Sequence, residues 1–207
     1  MLTHTEFASP TSEQMDKKRR KILKYLRRES FRSSHSETFP LSSGIKSKYY
    51  IDCKASLAFP EVRELVGDLI FEIVQGMQFD AVGGLFIGAY PMAMAVSDAY
   101  YRRGNAGIRA FVIRKEAKSH GLLKLIEGGV REASRVLIVD DVVTSGSSTV
   151  EAITKCRDEG LEVVRAIALV DRQEEHGGEN IRKQAVEFDA LFTLADLIEF
   201  NESDQDD

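Results

Sequence analysis

The segment Arg135–Glu159 constrains the fold more than any other part of the sequence. Apart from Arg135, every residue of Arg135–Val139 (RVLIV) is apolar. A segment that is apolar on both faces is typical of a buried strand in a parallel sheet. Two acids, Asp140 and Asp141, follow, and the polar turn Thr144–Ser148 leads into a predicted helix over Thr149–Glu159. A buried strand that passes through a polar turn into a helix predicts one unit of an α/β sheet.

The same alternation recurs along the chain. Apolar residues at helical spacing follow Pro60, and another helix is predicted from about Pro91 to Arg102. Four more segments have strand composition: Asp80–Leu85, Ile108–Ile113, Val163–Val170 and Ala190–Leu194. This order predicts a doubly wound, mainly parallel sheet flanked by helices. We expect one domain over 16–198, after a polar, aperiodic and poorly ordered stretch, 1–15, and before an acidic tail, 199–207.

The turn after the best strand is suited to bind a phosphate. Ligands of open α/β sheets lie at the carboxyl ends of strands, where Asp140 and Asp141 stand. Thr144–Ser148 offers backbone N–H groups, hydroxyls and a glycine at a helix N-terminus, which favours anions. The carboxylates would suit ribose hydroxyls or hydrated Mg²⁺. The alternative is that the serines only cap the helix and Asp140 only ends a strand.

A long polar connection, Arg114–Glu132, is the second informative segment. Connections of this length with interspersed glycines are typical of lids, binding loops or disorder. Its beginning holds four cationic or protonatable groups within seven residues, namely Arg114, Lys115, Lys118 and His120. The pattern predicts a lid over an anionic ligand; the alternative is an ordinary solvated basic loop.

These segments together resemble the type I phosphoribosyltransferases. RVLIVDDVVTSGSSTVEAI, Arg135–Ile153, is similar to that family's signature for the phosphoribosyl pyrophosphate donor, and RKEAKSHG resembles the mobile loop of its orotate phosphoribosyltransferases. SSGIKSKYYIDCK, Ser42–Lys54, and VDRQE, Val170–Glu174, match two further segments of the family, in its order. The resemblance implies that family's α/β fold, with a small N-terminal hood, 16–58, over the acceptor.

The resemblance also implies how the donor is bound. The acid pair would contact the ribose hydroxyls, the turn would wrap the 5-phosphate, and Lys118 and His120 would stabilise charge on the departing pyrophosphate. It implies Lys118, His120 and Asp141 as catalytic residues, and Mg²⁺ as a cofactor bound with the donor diphosphate rather than directly by the protein. The implied donor-binding residues are Arg114, Lys115, Lys118, His120, Asp140, Asp141, Val142, Val143, Thr144, Ser145, Gly146, Ser147 and Ser148.

The implied acceptor is orotate, bound by Arg172 and Thr144. A guanidinium suits the orotate carboxylate bidentately, whereas a lone arginine is more often a surface ion-pair residue. Some family members carry a donor-binding lysine before the Ser-Gly pair and a Tyr-Lys pair in the pyrophosphate loop. This chain has Ser42 and, near 86–88, Phe-Ile-Gly in those places.

The predicted reaction is transfer of the phosphoribosyl group to orotate, which gives orotidine 5′-monophosphate and diphosphate in pyrimidine synthesis. The family's lid completes the neighbouring subunit's site, which implies a homodimer with shared active sites. Transfer to another base is the first alternative. The second is a non-catalytic regulator that senses the donor and binds nucleic acid through the basic helix predicted within Lys17–Glu29.

Composition narrows the remaining classes. The net charge of −5 over 207 residues argues against a nucleic-acid partner, and Ala81–Val96 is too short and too rich in glycine for a membrane span. Cys53 and Cys156 form no CxxC pair, so neither a disulfide framework nor a zinc site is expected. The beginning of the sequence lacks a secretory pattern, and we expect a cytoplasmic protein.

Overall fold

The computed structural model describes residues 11–34, 38–40, 44, 46–116 and 125–201. Within these residues, no helix is both long and apolar enough to cross a membrane. In chain order the elements are α1 (Ser12–Tyr25), a π-helical turn (Leu26–Ser30), β1 (Phe31–Ser33), β2 (Phe39–Pro40), β3 (Lys46–Ser47), β4 (Tyr49–Ile51), α2 (Cys53–Leu57), α3 (Pro60–Ile73), β5 (Ala81–Leu85), α4 (Ala89–Arg102), β6 (Arg109–Ile113), β7 (Ile126–Glu127), β8 (Arg135–Val143), α5 (Ser147–Asp158), β9 (Glu162–Asp171), α6 (Gly177–Arg182), β10 (Phe188–Thr193) and α7 (Leu194–Glu199).

A six-stranded sheet forms the centre of the fold, in the spatial order β10, β9, β8, β5, β6, β7. Every neighbouring pair is parallel except β6 and β7, which are antiparallel. The chain moves outward from β5 in one direction to β6, and from β8 in the other direction to β9. The order therefore reverses between β5 and β8, and such a reversal opens a ligand crevice at the carboxyl ends of the two strands.

Helices cover both faces of this sheet, as the sequence predicted. On β8, Leu137 and Val139 belong to a core shared with α1, α3 and α4, whereas Val136 and Ile138 belong to a second core shared with α5 and α6. Successive side chains of a strand point to opposite faces, so a strand that is apolar throughout contributes to both cores. The doubly wound, mainly parallel α/β architecture is confirmed.

The N-terminal helix begins earlier than its apolar pattern indicated. The helix was predicted within Lys17–Glu29, but α1 starts at Ser12, because Thr11 and Gln14 form a reciprocal capping box. Met15 packs against the core, so this first turn is part of the domain. Capping is a local polar signal that apolar periodicity does not detect.

Much of the charge on α1 is used in packing. Lys18 contacts Asp68 at 3.0 Å, Lys21 pairs with Glu61, and Arg19 lies over the Phe192 ring. These contacts join α1 to α3 and to the end of the sheet. The helix is thus a structural element of this fold, which weakens the nucleic-acid alternative.

The hood consists of short strands before α2. β1 pairs antiparallel with β4, and β2 with β3. β4 ends at Ile51, because the Asp52 side chain accepts a hydrogen bond from the Lys54 N–H and caps α2. A similar box of Thr193 and Asp196 starts α7, so a strand predicted to reach Leu194 ends one residue earlier.

We predict that Gly84→Ala destabilises the domain, because Gly84 brings β5 close to β8. A Cβ at this position would lie 2.1 Å from the Val139 carbonyl oxygen and 2.7 Å from the Ala89 Cβ. Both neighbours belong to packed elements, so we expect the free energy of unfolding in urea to fall by about 1–3 kcal/mol. Gly107→Ala is the matched control, since its Cβ would meet only the Asn105 side chain, at 3.1 Å. Equal stability of the two variants would contradict this account.

Candidate active site

The strand that carries the acid pair is longer than predicted. β8 continues from Val139 to Val143, because β9 pairs with it as far as Val143 opposite Asp171. Asp140 and Asp141 therefore lie within the strand and point to opposite faces of the sheet. This corrects the predicted end of the strand at Val139, after which both acids were expected to follow.

Asp140 lies on the α5 side and is 8% exposed. Its Oδ2 accepts a hydrogen bond from Thr149 Oγ1 at 2.7 Å, and its Oδ1 accepts one from the Asp141 N–H at 3.0 Å. Burial, with the charge of Asp141 nearby, raises the pKa of Asp140 to about 7, although the Thr149 hydrogen bond opposes this. Thr149, which the sequence suggested only as a helix start, is thus the closest partner of this carboxylate.

Asp141 lies on the opposite face, beside α2 and the loop after β5. A Cβ at Gly88 would be 2.1 Å from Asp141 Oδ1, so the backbone of this loop lies directly against the carboxylate. Lys54 Nζ is 3.8 Å from Asp141 Oδ2. Burial raises the pKa of Asp141, and the Lys54 charge counteracts part of that rise.

The predicted phosphate turn has the geometry of an anion site. Gly146 has a φ of 77°, and α5 begins immediately after it, at Ser147 rather than Thr149. Within the described residues, the hydrogen bonds of the turn use the Ser145 hydroxyl and carbonyl, the Ser147 N–H and hydroxyl, and the Gly146 carbonyl, which accepts from the Val150 N–H. None uses the amide N–H of Thr144, Ser145 or Gly146. These amides lie at the start of a 12-residue helix, where the positive end of the helix dipole favours an anion.

The phosphate turn packs against α6, which contacts it through Gly177 and Asn180. A Cβ on Gly146 would meet the Gly177 carbonyl oxygen at 2.7 Å, and Asn180 Nδ2 donates to the Ser145 carbonyl at 3.1 Å. Val142 and Val143 remain in β8, and the Val143 side chain is buried in the core. Ser148 lies in the first turn of α5. The sequence had predicted the turn but not its support by α6.

Both ends of the predicted lid lie in the described part of the chain, residues 114–116 and 125–132, and the second end contains β7. Arg114 Nε pairs with Glu127 at 2.6 Å. Lys155, on α5, donates to the carbonyls of Arg114 and Lys115 at 3.0 and 2.7 Å. The lid is thus joined to the phosphate-turn helix, a contact for which the sequence gave no signal. Lys118 and His120 lie outside the described residues, and their roles stay predictions.

Arg172 is buried rather than a surface ion-pair residue, at 3% exposed. It follows β9, and its N–H donates to the Val143 carbonyl at 2.9 Å, so it lies beside the turn that starts at Thr144. Its Nε donates to Glu174 Oε2 at 2.8 Å, while its Nη2 donates to Ser47 Oγ at 3.0 Å and to the Tyr49 carbonyl at 3.2 Å. The hood is therefore fastened to the sheet through this guanidinium.

The carboxylates suit a metal ion that arrives with a ligand. Among the residues for which the structure gives positions, no group of three or more His, Cys, Asp and Glu side chains is placed to hold an ion. Mg²⁺ usually takes one or two protein carboxylates together with water and phosphate oxygens. Asp140 and Asp141 at a phosphate turn fit that chemistry.

We predict that the free energy of unfolding of Asp140→Asn rises relative to that of the original chain as the pH increases. Because burial raises its pKa from 3.8 to about 7, the folded chain keeps this proton where the unfolded chain has lost it. The stabilisation is therefore fully present below the unfolded pKa and is lost as the pH rises through about 7. Urea unfolding without divalent cations, from about pH 4 to about pH 8, should show the variant gaining over the original chain.

The control for this measurement is Asp158→Asn, which neutralises an exposed acid on α5. Its difference from the original chain should not follow the same pH trend. Asp140→Asn can keep both contacts, because its Oδ1 accepts from the Asp141 N–H while its Nδ2 donates to Thr149 Oγ1, whose hydroxyl can also accept. A difference that stays constant from acid to alkaline pH would show that the Asp140 proton is not linked to folding.

Comparison with known proteins agrees with this geometry. The family model for the phosphoribosyl transferase domain matches residues 54–201. The chain is 41% identical to an orotate phosphoribosyltransferase of Aquifex aeolicus (strain VF5) over 180 residues, which cover 87% of this chain and 97% of that relative.

Two crystal structures of Mycobacterium tuberculosis H37Rv orotate phosphoribosyltransferase are also similar. The complex with Fe(III) dicitrate has a TM-score of 0.74 and 34% identity, and covers 87% of this chain and 98% of the other. The complex with 5-phospho-alpha-D-ribosyl 1-diphosphate has a TM-score of 0.69 and 29% identity, with coverage of 87% and 92%. The chain therefore belongs to the phosphoribosyltransferase family, among the orotate phosphoribosyltransferases.

Proposed function

We propose that this protein transfers the phosphoribosyl group of 5-phosphoribosyl 1-diphosphate to orotate, giving orotidine 5′-monophosphate and diphosphate in pyrimidine synthesis. The observation that carries the proposal is a buried arginine, Arg172, beside the turn Thr144–Gly146, whose amide N–H groups have no hydrogen-bond partner among the described residues. One group suits a planar carboxylate and the other a phosphate, and the two follow neighbouring parallel strands.

The donor lies with its 5-phosphate on the amides and hydroxyls of Thr144–Ser148. This position directs its ribose toward the carboxyl end of β8, where Asp141 can accept from ribose hydroxyls. Asp140 has a hydrogen bond from Thr149 on the far face, so it contributes mainly by fixing the strand and by its charge. The diphosphate then points toward the loop Phe86–Gly88, which lies against Asp141.

The acceptor lies between Arg172 and the hood. Its carboxylate pairs with the guanidinium, and Thr144 lies within the same region of the sheet edge. The ring nitrogen attacks the anomeric carbon of the ribose, and the bond from that carbon to the diphosphate oxygen breaks, with both electrons leaving on diphosphate. The proton of the ring nitrogen passes to diphosphate or to solvent. No covalent protein nucleophile is needed, so positioning and charge stabilisation provide the rate.

Two further components complete the proposal. Mg²⁺ bound with the donor would neutralise part of the diphosphate charge. Lys118 and His120, on the lid, would stabilise the leaving group as its charge develops and exclude water that would hydrolyse the donor.

We also propose a homodimer in which the lid of one subunit serves its partner's site. An exposed apolar stripe supports this: Tyr90, Met94 and Tyr101 lie on one face of α4, next to exposed Phe86 and Ile87. The stripe begins at the loop beside Asp141, so a partner that covers it would sit next to the site. The cytoplasmic location stays a prediction from the sequence.

The test of the proposed function is consumption of orotate, followed by its ultraviolet absorbance. The reaction contains the donor and Mg²⁺, and each is omitted in turn. Adenine, guanine, hypoxanthine and uracil replace orotate in parallel reactions, with diphosphate release as the readout. Turnover of another base without turnover of orotate would assign a different acceptor, and donor binding without any turnover would favour a regulator.

Arg172→Lys should raise the KM for orotate by roughly tenfold or more, because lysine keeps the charge but loses the planar fork. The KM for the donor should change little, since the phosphate turn is untouched. Steady-state kinetics with each substrate varied measures both constants, and thermal unfolding checks that the buried position tolerates lysine. Arg157→Lys, on the exposed side of α5, is the control. An unchanged orotate KM would remove Arg172 from the acceptor site.

Lys118→Ala and His120→Ala should each lower kcat by roughly a hundredfold or more, with a smaller effect on donor binding. Mixing either lid variant with Asp141→Asn tests whether sites are shared, because one site of each mixed dimer would then contain both intact parts. Heterodimers isolated through two different affinity tags should recover activity that neither parent has. Absence of recovery in such heterodimers would exclude shared sites.

A further inference from the structure

Lys54 occupies a position that the sequence-based site assignments left unused. It lies in the first turn of α2, and its Nζ is 2.6 Å from Asp52 Oδ1 and 3.8 Å from Asp141 Oδ2. The first contact is a hydrogen bond and the second is too long to be one. The side chain is 48% exposed, so its ammonium group is half in solvent at the edge of the crevice.

Within the described residues, the surroundings of Lys54 are negatively charged, and Lys54 is the cation that lies nearest to the acid pair. Asp140 is buried and Asp141 is partly buried at the carboxyl end of β8, and the loop Phe86–Gly88 beside Asp141 contains no basic residue. Among the ion pairs of the described residues, Lys54 is the only cation within 4.0 Å of either carboxylate. Arg114, at the start of the lid, is paired with Glu127. A polyanionic diphosphate in this crevice would meet two carboxylates and needs a nearby positive charge.

We infer that Lys54 is a further donor-binding residue, whose ammonium group contacts the diphosphate from the α2 side of the crevice. An ammonium group has three N–H donors, and the hydrogen bond to Asp52 uses one of them. The other two are available to diphosphate oxygens at the point where the backbone of Gly88 meets Asp141. Lys54 thus provides the cation that the loop after β5 lacks in this chain.

Asp52 is the positioning residue in this arrangement. Its carboxylate accepts from both the Lys54 N–H, at 3.2 Å, and the Lys54 ammonium group. The same side chain therefore begins α2 and directs the lysine toward the crevice. A long flexible side chain that is tethered in this way loses less conformational freedom when the donor binds.

The inference rests on the proposed function, and the first measurement separates the two. If the original chain consumes no orotate and binds no donor, the proposed function fails. If the original chain is active, Lys54→Met should raise both the KM and the Kd for 5-phosphoribosyl 1-diphosphate about tenfold, the usual effect of losing one hydrogen bond to a charged group. The KM for orotate should stay within about twofold, because Arg172 and the hood contacts are unchanged.

Two matched variants distinguish donor binding from simple folding. Lys54→Arg keeps the charge and should recover most of the donor affinity. Lys17→Met removes a lysine whose partner, Glu13, is an exposed residue of the same helix, and should leave all constants unchanged. A Lys54→Met variant with unchanged donor affinity, or with equal losses for donor and orotate, would overturn the inference.

A measurement on the original chain covers the case in which Lys54→Met does not fold. Amine-reactive labelling, read by mass spectrometry, gives the reaction rate of each lysine. Inorganic diphosphate with Mg²⁺, and the complete donor, should slow labelling of Lys54 but not of Lys17. Ribose 5-phosphate alone should protect Lys54 less, because it lacks the diphosphate. Equal labelling of Lys54 with and without diphosphate would overturn the inference.

Discussion

The parallel pairing of β8 with β9 is the constraint on which the rest of the site depends. It continues from Arg135 opposite Glu162 to Val143 opposite Asp171, and so brings the ends of both strands to the same edge. The phosphate turn leaves one strand there and Arg172 leaves the other. Backbone hydrogen bonds thus set the separation of the two groups that are proposed to bind the substrates.

The sequence predicted the architecture and the phosphate turn because both depend on local patterns. A strand that is apolar on both faces can be satisfied only between two layers of helices, and a glycine with serines before a helix forms an anion site from backbone alone. Arg172 was predicted through the resemblance of Val170–Glu174 to the family, and its position after a buried strand agrees with a place at the ligand edge. In each case, neighbouring residues in the sequence determine the structure.

Contacts between distant segments could not be predicted in this way. Lys155 reaches the carbonyls of Arg114 and Lys115, and Ser47 reaches Arg172 across more than a hundred residues of sequence. Neither residue carries a local signal, because an exposed lysine on a helix and a serine in a loop are common. The extent of β8 was underestimated for the same reason, since its length is decided by its partner β9 and not by its own apolar residues.

The two acids also differ in which half of the molecule controls them. Asp140 depends on α5 through Thr149, whereas Asp141 depends on α2 and on the loop before α4. A substitution in one hydrophobic layer can therefore alter the affinity of one carboxylate for protons while the other keeps its surroundings. Because the charge of Asp141 also raises the pKa of Asp140, a change made in the α2 layer is passed on to the carboxylate on the other face of the sheet.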